Sequence, residues 1–375
     1  MSNFVKIFAL IFKIFKNILL NRYSKYPDYV LDFEKRLADK FSCNYALTFA
    51  NGTQAFEASL ISLKLKKGSN ILISKLSFTS TCITILKNGF KPIYADFDKD
   101  FKMILDDKIL NNEISAVILT YVFGYTNEVQ SINIIKKRNP NIKIISDCSH
   151  AHGASVDNKN IVNYTDISFM SLQGAKALSA GEGGIAFTNS KYYLNEMIKL
   201  SHPSRKLIDE KNSYIDIPGF AKFGKSRIHP IGAMVADYNL NFLEKKNKSI
   251  QKKLSLIYSL LENNKNLYLP QISIKNTGGY HYGIPFFIKQ NDDLKNFKKI
   301  PIKKYNYLKY ENIKEFSNPE LYDQFISSKN NLKFESSINN DIRDDLCFLE
   351  LGWIKKTSFK NLKKQIKDFS NYLEN

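Results

Sequence analysis

Between residues 45 and 189 one pattern recurs: a short, almost wholly apolar run, a small or polar turn, then a stretch with helical spacing. The runs read "YALTF" (45–49), "NILIS" (70–74), "KPIYA" (91–95), "ISAVILTYVFG" (114–124), "IKIIS" (142–146), "DISFMS" (166–171) and "GIAFTN" (184–189). Helical stretches follow three of them, from Gln54 to Leu65, from Ser77 to Lys87 and over "VQSINIIKKR" (129–138). A strand that is apolar throughout has no face to give to water, so both faces must be covered. Such strands alternating with helices predict an α/β fold with a mostly parallel central sheet sandwiched by helices.

After about residue 240 the chain turns to longer polar helices, loops and scattered strands such as "GIPFFIK" (283–289). The division expected is an N-terminal helix over residues 1–24, a large α/β domain over 25–240 and a small α+β domain over 241–375. The N-terminal stretch is apolar but broken by Lys6, Lys13 and Lys16. No charge-free run reaches the ~20 residues of a spanning helix, and no small-residue cleavage site follows, which speaks against a signal peptide. At helical spacing these lysines and Asn17 share one side, opposite Phe4, Ile7, Phe8, Ile11, Phe15 and Ile18. Residues 1–20 thus read as a basic amphipathic helix, suited to an anionic bilayer, to the protein's own core or to a partner subunit.

The 375 residues carry a formal net charge of +19. Compositional drift and attraction to an anionic partner such as a nucleotide diphosphate both fit that sign. The basic residues are dispersed and build no nucleic-acid module, so no nucleic-acid partner is expected. Cys43, Cys82, Cys148 and Cys347 are far apart, with neither metal-ligand spacing nor a disulfide framework. A reducing, cytoplasmic setting without a metal is expected.

In a parallel sheet, ligands bind just beyond the carboxyl ends of the strands. Gly52 and Thr53 follow the first strand, Ser77 and Phe78 the second, Asp147 closes "IKIIS" and Ser171 closes "DISFMS". The dinucleotide fingerprint, the P-loop, HExxH and GxSxG are all missing. What remains is a lysine, an aspartate and small hydroxyl residues, a set that suits pyridoxal 5'-phosphate (PLP). That cofactor takes a lysine for covalent attachment, an acid for its ring nitrogen and N–H groups at a helix start for its phosphate. "ANGTQAF" offers such a helix start, and Phe78 a flat partner for a planar ring.

At this point the chain resembles the DegT/StrS-type PLP-dependent sugar aminotransferases, of the fold-type-I transferase architecture. The motifs "NGTQAFEASL", "LSFTST", "SDCSHAHGA", "SLQGAKALSAGEGGIAFTN" and "SRIHP" carry it, in family order, and cover about residues 25 to 250. The resemblance implies that Lys176 is the lysine bonded to the cofactor and Asp147 the partner of its ring nitrogen. It places His150, where the family often has Gln, near the ring oxygen, and Gly52, Thr53 and Ser171 at the phosphate. Phe78 would stack on the ring. Lys225 stands where many members have an Asn that reaches the phosphate of a neighbouring subunit. His281 matches a histidine of the small domain.

The activity so implied is transfer of an amino group from glutamate or glutamine to a keto sugar, carried on a nucleotide, or to a related keto cyclitol. A homodimer with shared active sites is expected. Two rivals stay open: a sugar dehydratase, whose members carry His where Lys176 stands, and a non-catalytic, membrane-associated relative. For the glycines at 181, 183 and 184, a tight turn before "GIAFTN" is the expected task.

Overall fold

The computed structural model describes residues 28–110, 113–202, 205–216, 225–288, 300–304 and 346–374, together with residues 8, 9, 11, 12 and 14–16 of the N-terminal segment. The rest of the predicted amphipathic helix lies outside the described residues. Within it, Phe8, Ile11, Phe12 and Phe15 are exposed, so these side chains are not buried in this chain's own core. Among the described residues no helix is long and apolar enough to cross a membrane.

The first strands are β1 (Tyr45–Phe49), β2 (Asn70–Ser74), β3 (Lys91–Ala95), β4 (Ile114–Thr120) and β5 (Lys143–Asp147), followed by β6 (Ile167–Ser171) and β7 (Gly184–Thr188). They form one seven-stranded sheet in the order β1-β7-β6-β5-β4-β2-β3. The pairs from β3 through β6 are parallel, while β7 runs antiparallel to both β6 and β1. Strands β1 and β6 therefore point the same way, and the predicted strand-end residues gather on one edge. The run "ISAVILTYVFG" is strand only to Thr120; Val122–Gly124 form a 3-10 turn that carries the chain out of the sheet.

Both sheet faces are buried, as the unbroken apolar runs require. Along β4, Ala116 and Ile118 enter one core while Val117 and Leu119 enter another on the opposite face. Along β7, Ala186 joins the first face, and Ile185 and Phe187 the other. Helices α1 (Asp28–Lys40), α2 (Gly52–Ser62), α3 (Thr79–Lys87), α4 (Val129–Arg138), α5 (Lys191–Ser201) and α6 (Pro230–Leu240) cover these faces. Their starts are written locally. Asn51 caps α2 by accepting from the Gln54 N–H, and Ser190 caps α5 by accepting from that of Tyr193. The run "SRIHP" begins α6, with His229 as cap and Pro230 at the first turn.

Helix α7 (Leu243–Leu261) links the two halves. Leu243 packs in a core of the large sheet, and Ile250, Leu254, Ile257 and Leu261 enter a separate core. That core lies against a four-stranded antiparallel sheet of β8 (Leu267–Tyr268), β9 (Gly283–Ile288), β10 (Ile302–Lys304) and β11 (Leu346–Glu350). Helices α8 (Leu351–Lys356) and α9 (Phe359–Glu374) complete it. Residues 283–288 of the run "GIPFFIK", expected as a scattered strand, thus form the paired centre of a second sheet. An apolar junction that includes Phe97, Phe101, Phe123, Phe287 and Leu346 ties the two sheets together. Phe101 and Phe287 meet there with ring centroids 5.7 Å apart.

Candidate active site

The strand ends open onto a cavity of about 620 Å³. Of the residues singled out above, Gly52, Thr53, Phe78, Asp147, His150, Ser171, Lys176 and His281 line it. Lys225 does not; it is exposed, next to Ser226, whose carbonyl accepts from the Ala50 N–H at 2.7 Å just past β1.

The phosphate-type corner is built by close approach. A Cβ placed on Gly52 would sit 2.8 Å from Cβ and 3.0 Å from Cα of Ser171, so only glycine lets the start of α2 press against the end of β6. The glycine task at residue 184 differs from the expected turn. Gly181 alone of the three has a left-handed backbone, at φ +82°, whereas a side chain on Gly184 would collide with the Asn51 carbonyl. Gly184 keeps β7 clear of the same helix start. Ser171 is fixed from two sides, its N–H donating to Ser149 Oγ at 3.0 Å and its carbonyl lying 2.9 Å from His152 Nε2. His152 itself is buried, and its carbonyl accepts from Asn247 Nδ2 at 2.8 Å.

Asp147 ends β5, in register with Thr120 of β4 and Phe169 of β6. Its Oδ1 accepts from the Ser149 N–H at 2.9 Å. Burial pushes its carboxyl pKa up, while bonds from Ser149 and the nearby Lys176 pull it back. Burial likewise pushes the Lys176 amine down to about 8, against the upward pull of Asp147. Such an amine is partly free base near neutral pH, which an ordinary surface lysine is not.

His150 is held well below its ordinary pKa by burial, then by Lys176, His281 and His152. It is therefore neutral. The Phe123 N–H donates to its Nδ1 at 3.4 Å, which leaves the proton on Nε2. Phe78 is 59% exposed at the cavity mouth, an aromatic face with room for a flat ring. A helix start cleared of side chains, a buried carboxylate, a depressed amine and an open aromatic face fit PLP.

Several lining residues were not foreseen from sequence: Asn51, Lys75, Glu182, Tyr282 and Phe348. Asn51 carried a signal, since an Asn just ahead of an apolar helical run is a cap. Lys75 is ion-paired with Asp96 at the rim. Tyr282 directly precedes β9, beside the His281 already singled out, and Phe348 lies in β11, where nothing near it in the chain marks a site.

A large mostly parallel sheet, a lysine just beyond its edge and a second small sheet closing the cavity define a fold-type-I PLP-transferase architecture. Residues 11–304 match the DegT/DnrJ/EryC1/StrS aminotransferase family, and the chain belongs to it. The chain is 29% identical over 168 residues to GDP-perosamine synthase of Escherichia coli O157:H7, covering 44% of this chain and 46% of that protein. It is 28% identical over 182 residues to dTDP-4-amino-4,6-dideoxy-D-glucose transaminase of Shigella dysenteriae, covering 48% of each. The chain thus spans about half the length of these curated relatives. Among solved structures, NtdA of Bacillus subtilis with bound cofactor PMP superposes with a TM-score of 0.77 at 17% identity, over 100% of this chain and 83% of that one.

Proposed function

We propose that this chain is a PLP-dependent aminotransferase that moves an amino group from glutamate or glutamine to a keto sugar, carried on a nucleotide, in amino-sugar or cell-surface polysaccharide biosynthesis. The observation that carries it is the pairing of Lys176, with its amine pushed down to about 8, and the buried Asp147 in one cavity. Membership of a family named for aminotransferases supports the reaction class. The sugar-nucleotide names of the relatives support the substrate class.

PLP, when bound, supplies an aldehyde that bonds an amine and a ring that takes up the electron pair of a broken C–H bond. Lys176 would hold the aldehyde carbon and, once displaced by the amino donor, use its free amine to take the donor's α-proton. Asp147 would hold a proton on the ring nitrogen through a charge-assisted hydrogen bond. The backbone N–H groups at Gly52 and Thr53, with the Ser171 hydroxyl, would bind the phosphate at the start of α2. His150 would donate its Nε2 proton to the ring oxygen, and Phe78 would stack on the ring.

Among the described residues, no lysine or arginine other than Lys75 and Lys176 lines the cavity, and Lys75 is held by Asp96. A cation for the phosphate would then come from Lys225 of a second subunit, in a cytoplasmic homodimer with shared sites. The division of the chain near residue 240, between α6 and α7, belongs to the same proposal. A screen of half-reactions tests the whole: colour should be lost with an amino donor and recovered with a keto sugar. A colourless protein that takes up no added PLP would sink the reading.

A further inference from the structure

The cavity has two chemically different sides. From the large sheet come hydroxyl, amide and charged groups, Thr53, Thr120, Gln173 and Glu182 among them. From the small sheet and its lead-in come, among the described residues, His281, Tyr282 and Phe348, and all three carry aromatic rings. Every group assigned to PLP above belongs to the large side, which leaves Tyr282 and Phe348 without a task.

Tyr282 is held at the cavity at a conformational cost. Its φ is 69°, and the Gly283 N–H donates to the His281 carbonyl at 3.0 Å across it. That is the rare, strained form of the three-residue γ-turn, which a bulky residue adopts only where its surroundings impose it. They do so here. The Tyr282 carbonyl accepts from the Leu351 N–H at 2.9 Å, and a side chain on Gly283 would strike the Leu349 carbonyl. Around the Tyr282 ring, His150 stands edge-on, with centroids 5.4 Å apart at 85°, and the Phe348 ring lies 6.1 Å away. Even so packed, Tyr282 stays 41% exposed, whereas Phe348 is 7% exposed. A strained turn thus holds one aromatic ring open at the cavity.

An aromatic face suits one of the two substrates and not the other. A sugar or cyclitol ring carries hydroxyls around its rim and C–H bonds on its faces, and those bonds are drawn to the electron-rich face of an aromatic ring. Glutamate and glutamine are open chains with charged and polar ends and present no such face. We propose that Tyr282 is a specificity-determining residue for the amino acceptor: its ring, with Phe348 beside it, is the wall on which the acceptor's ring lies, and the hydroxyl and amide groups of the large side meet the acceptor's rim. The proposal rests on the function proposed above and adds how one cavity takes an open-chain donor and a cyclic acceptor.

The test compares acceptors on the aminated holoenzyme of the wild type, Tyr282→Phe and Tyr282→Asn, prepared with PLP and whichever of glutamate and glutamine removes the wild-type colour. Asparagine tolerates the left-handed backbone and removes the ring; Tyr282→Gly replaces it if that variant does not fold. Return of colour is timed with the keto acid of the donor used, 2-oxoglutarate or 2-oxoglutaramate, and with a panel of nucleotide-linked 3-keto and 4-keto hexoses and a keto cyclitol. Loss of the Tyr282 ring should lower the second-order rate constant for the best ring acceptor about tenfold more than that for the keto acid. Phenylalanine should keep the wild-type ratio of the two to within about threefold. Equal losses on both acceptors overturn the proposal, as do no loss at all and a phenylalanine variant as unselective as asparagine. A wild type that takes up no PLP, or that regains colour with the keto acid but with no ring compound, defeats the function proposed above and this proposal with it. An unselective Tyr282→Asn beside a wild type that accepts a ring compound defeats this proposal alone.

Discussion

Asp147 and Lys176, from neighbouring strand ends of one sheet, oppose each other's burial: the carboxylate draws the amine's pKa upward and the ammonium draws the carboxyl's downward. In both residues burial is the larger influence, so each departs from its ordinary value toward the neutral form. An amine balanced in this way reacts near neutral pH without a separate base.

Lys176→Ala should take up no borohydride-fixed PLP and show no turnover, since Lys75, the other lysine lining the cavity among the described residues, is ion-paired with Asp96. The mass of the reduced protein, and of the peptide containing residue 176, reads the outcome directly. A wild-type adduct on Lys75 instead would reassign the site.

The rate of PLP uptake should climb with pH through about 8, where the Lys176 amine loses its proton, and not near the ordinary 10.5. Lowering an amine's pKa enlarges its free-base fraction below the ordinary value, which sets this sign. Because Asp147 pulls the amine upward, Asp147→Asn should move the midpoint to lower pH. The same substitution should cut turnover by about 10- to 100-fold, as expected for loss of a charge-assisted hydrogen bond. Stopped-flow absorbance against pH follows the first effect and steady-state rates the second.

Gly52→Ala should push the start of α2 away from Ser171, because the new methyl would meet backbone as well as side chain. A loss of about 1–3 kcal/mol in a urea melt is the expected scale for such overpacking. Affinity for PLP should fall more than affinity for phosphate-free pyridoxal, which titrations with the two compounds compare.

Away from the cavity, Glu34 and Arg205 form a buried ion pair at the open edge of β1, with Glu34 Oε1 2.9 Å from Arg205 Nη1. Glu34 Oε1 accepts from the Thr48 N–H at 2.7 Å, and Arg205 Nη2 donates to the Thr48 carbonyl at 2.6 Å. The pair stands in for a missing neighbour strand. Glu34→Ala should cost about 3–5 kcal/mol by removing the carboxylate from a buried guanidinium, measured as a lower urea midpoint.

The sequence by itself located the seven strands of the large sheet and the residues at their ends, whereas α2 and α3, expected from Gln54 and Ser77, start at Gly52 and Thr79. "YALTF", "NILIS" and "KPIYA" are β1, β2 and β3 residue for residue, because a largely buried strand leaves a largely apolar run. Asp147 was legible for a related reason: a polar group that closes a buried strand stands where a parallel sheet opens, whereas Lys176, five residues past β6, was singled out through the family resemblance. The tertiary structure alone decided the insertion of antiparallel β7 between β1 and β6, which brings Gly184 and Asn51 together. It alone decided that His281, more than a hundred residues beyond Lys176, would line the same cavity. Strand identity is written in local burial. Partner choice and cavity closure depend on contacts between residues far apart in the chain, and a single sequence carries no local mark of those.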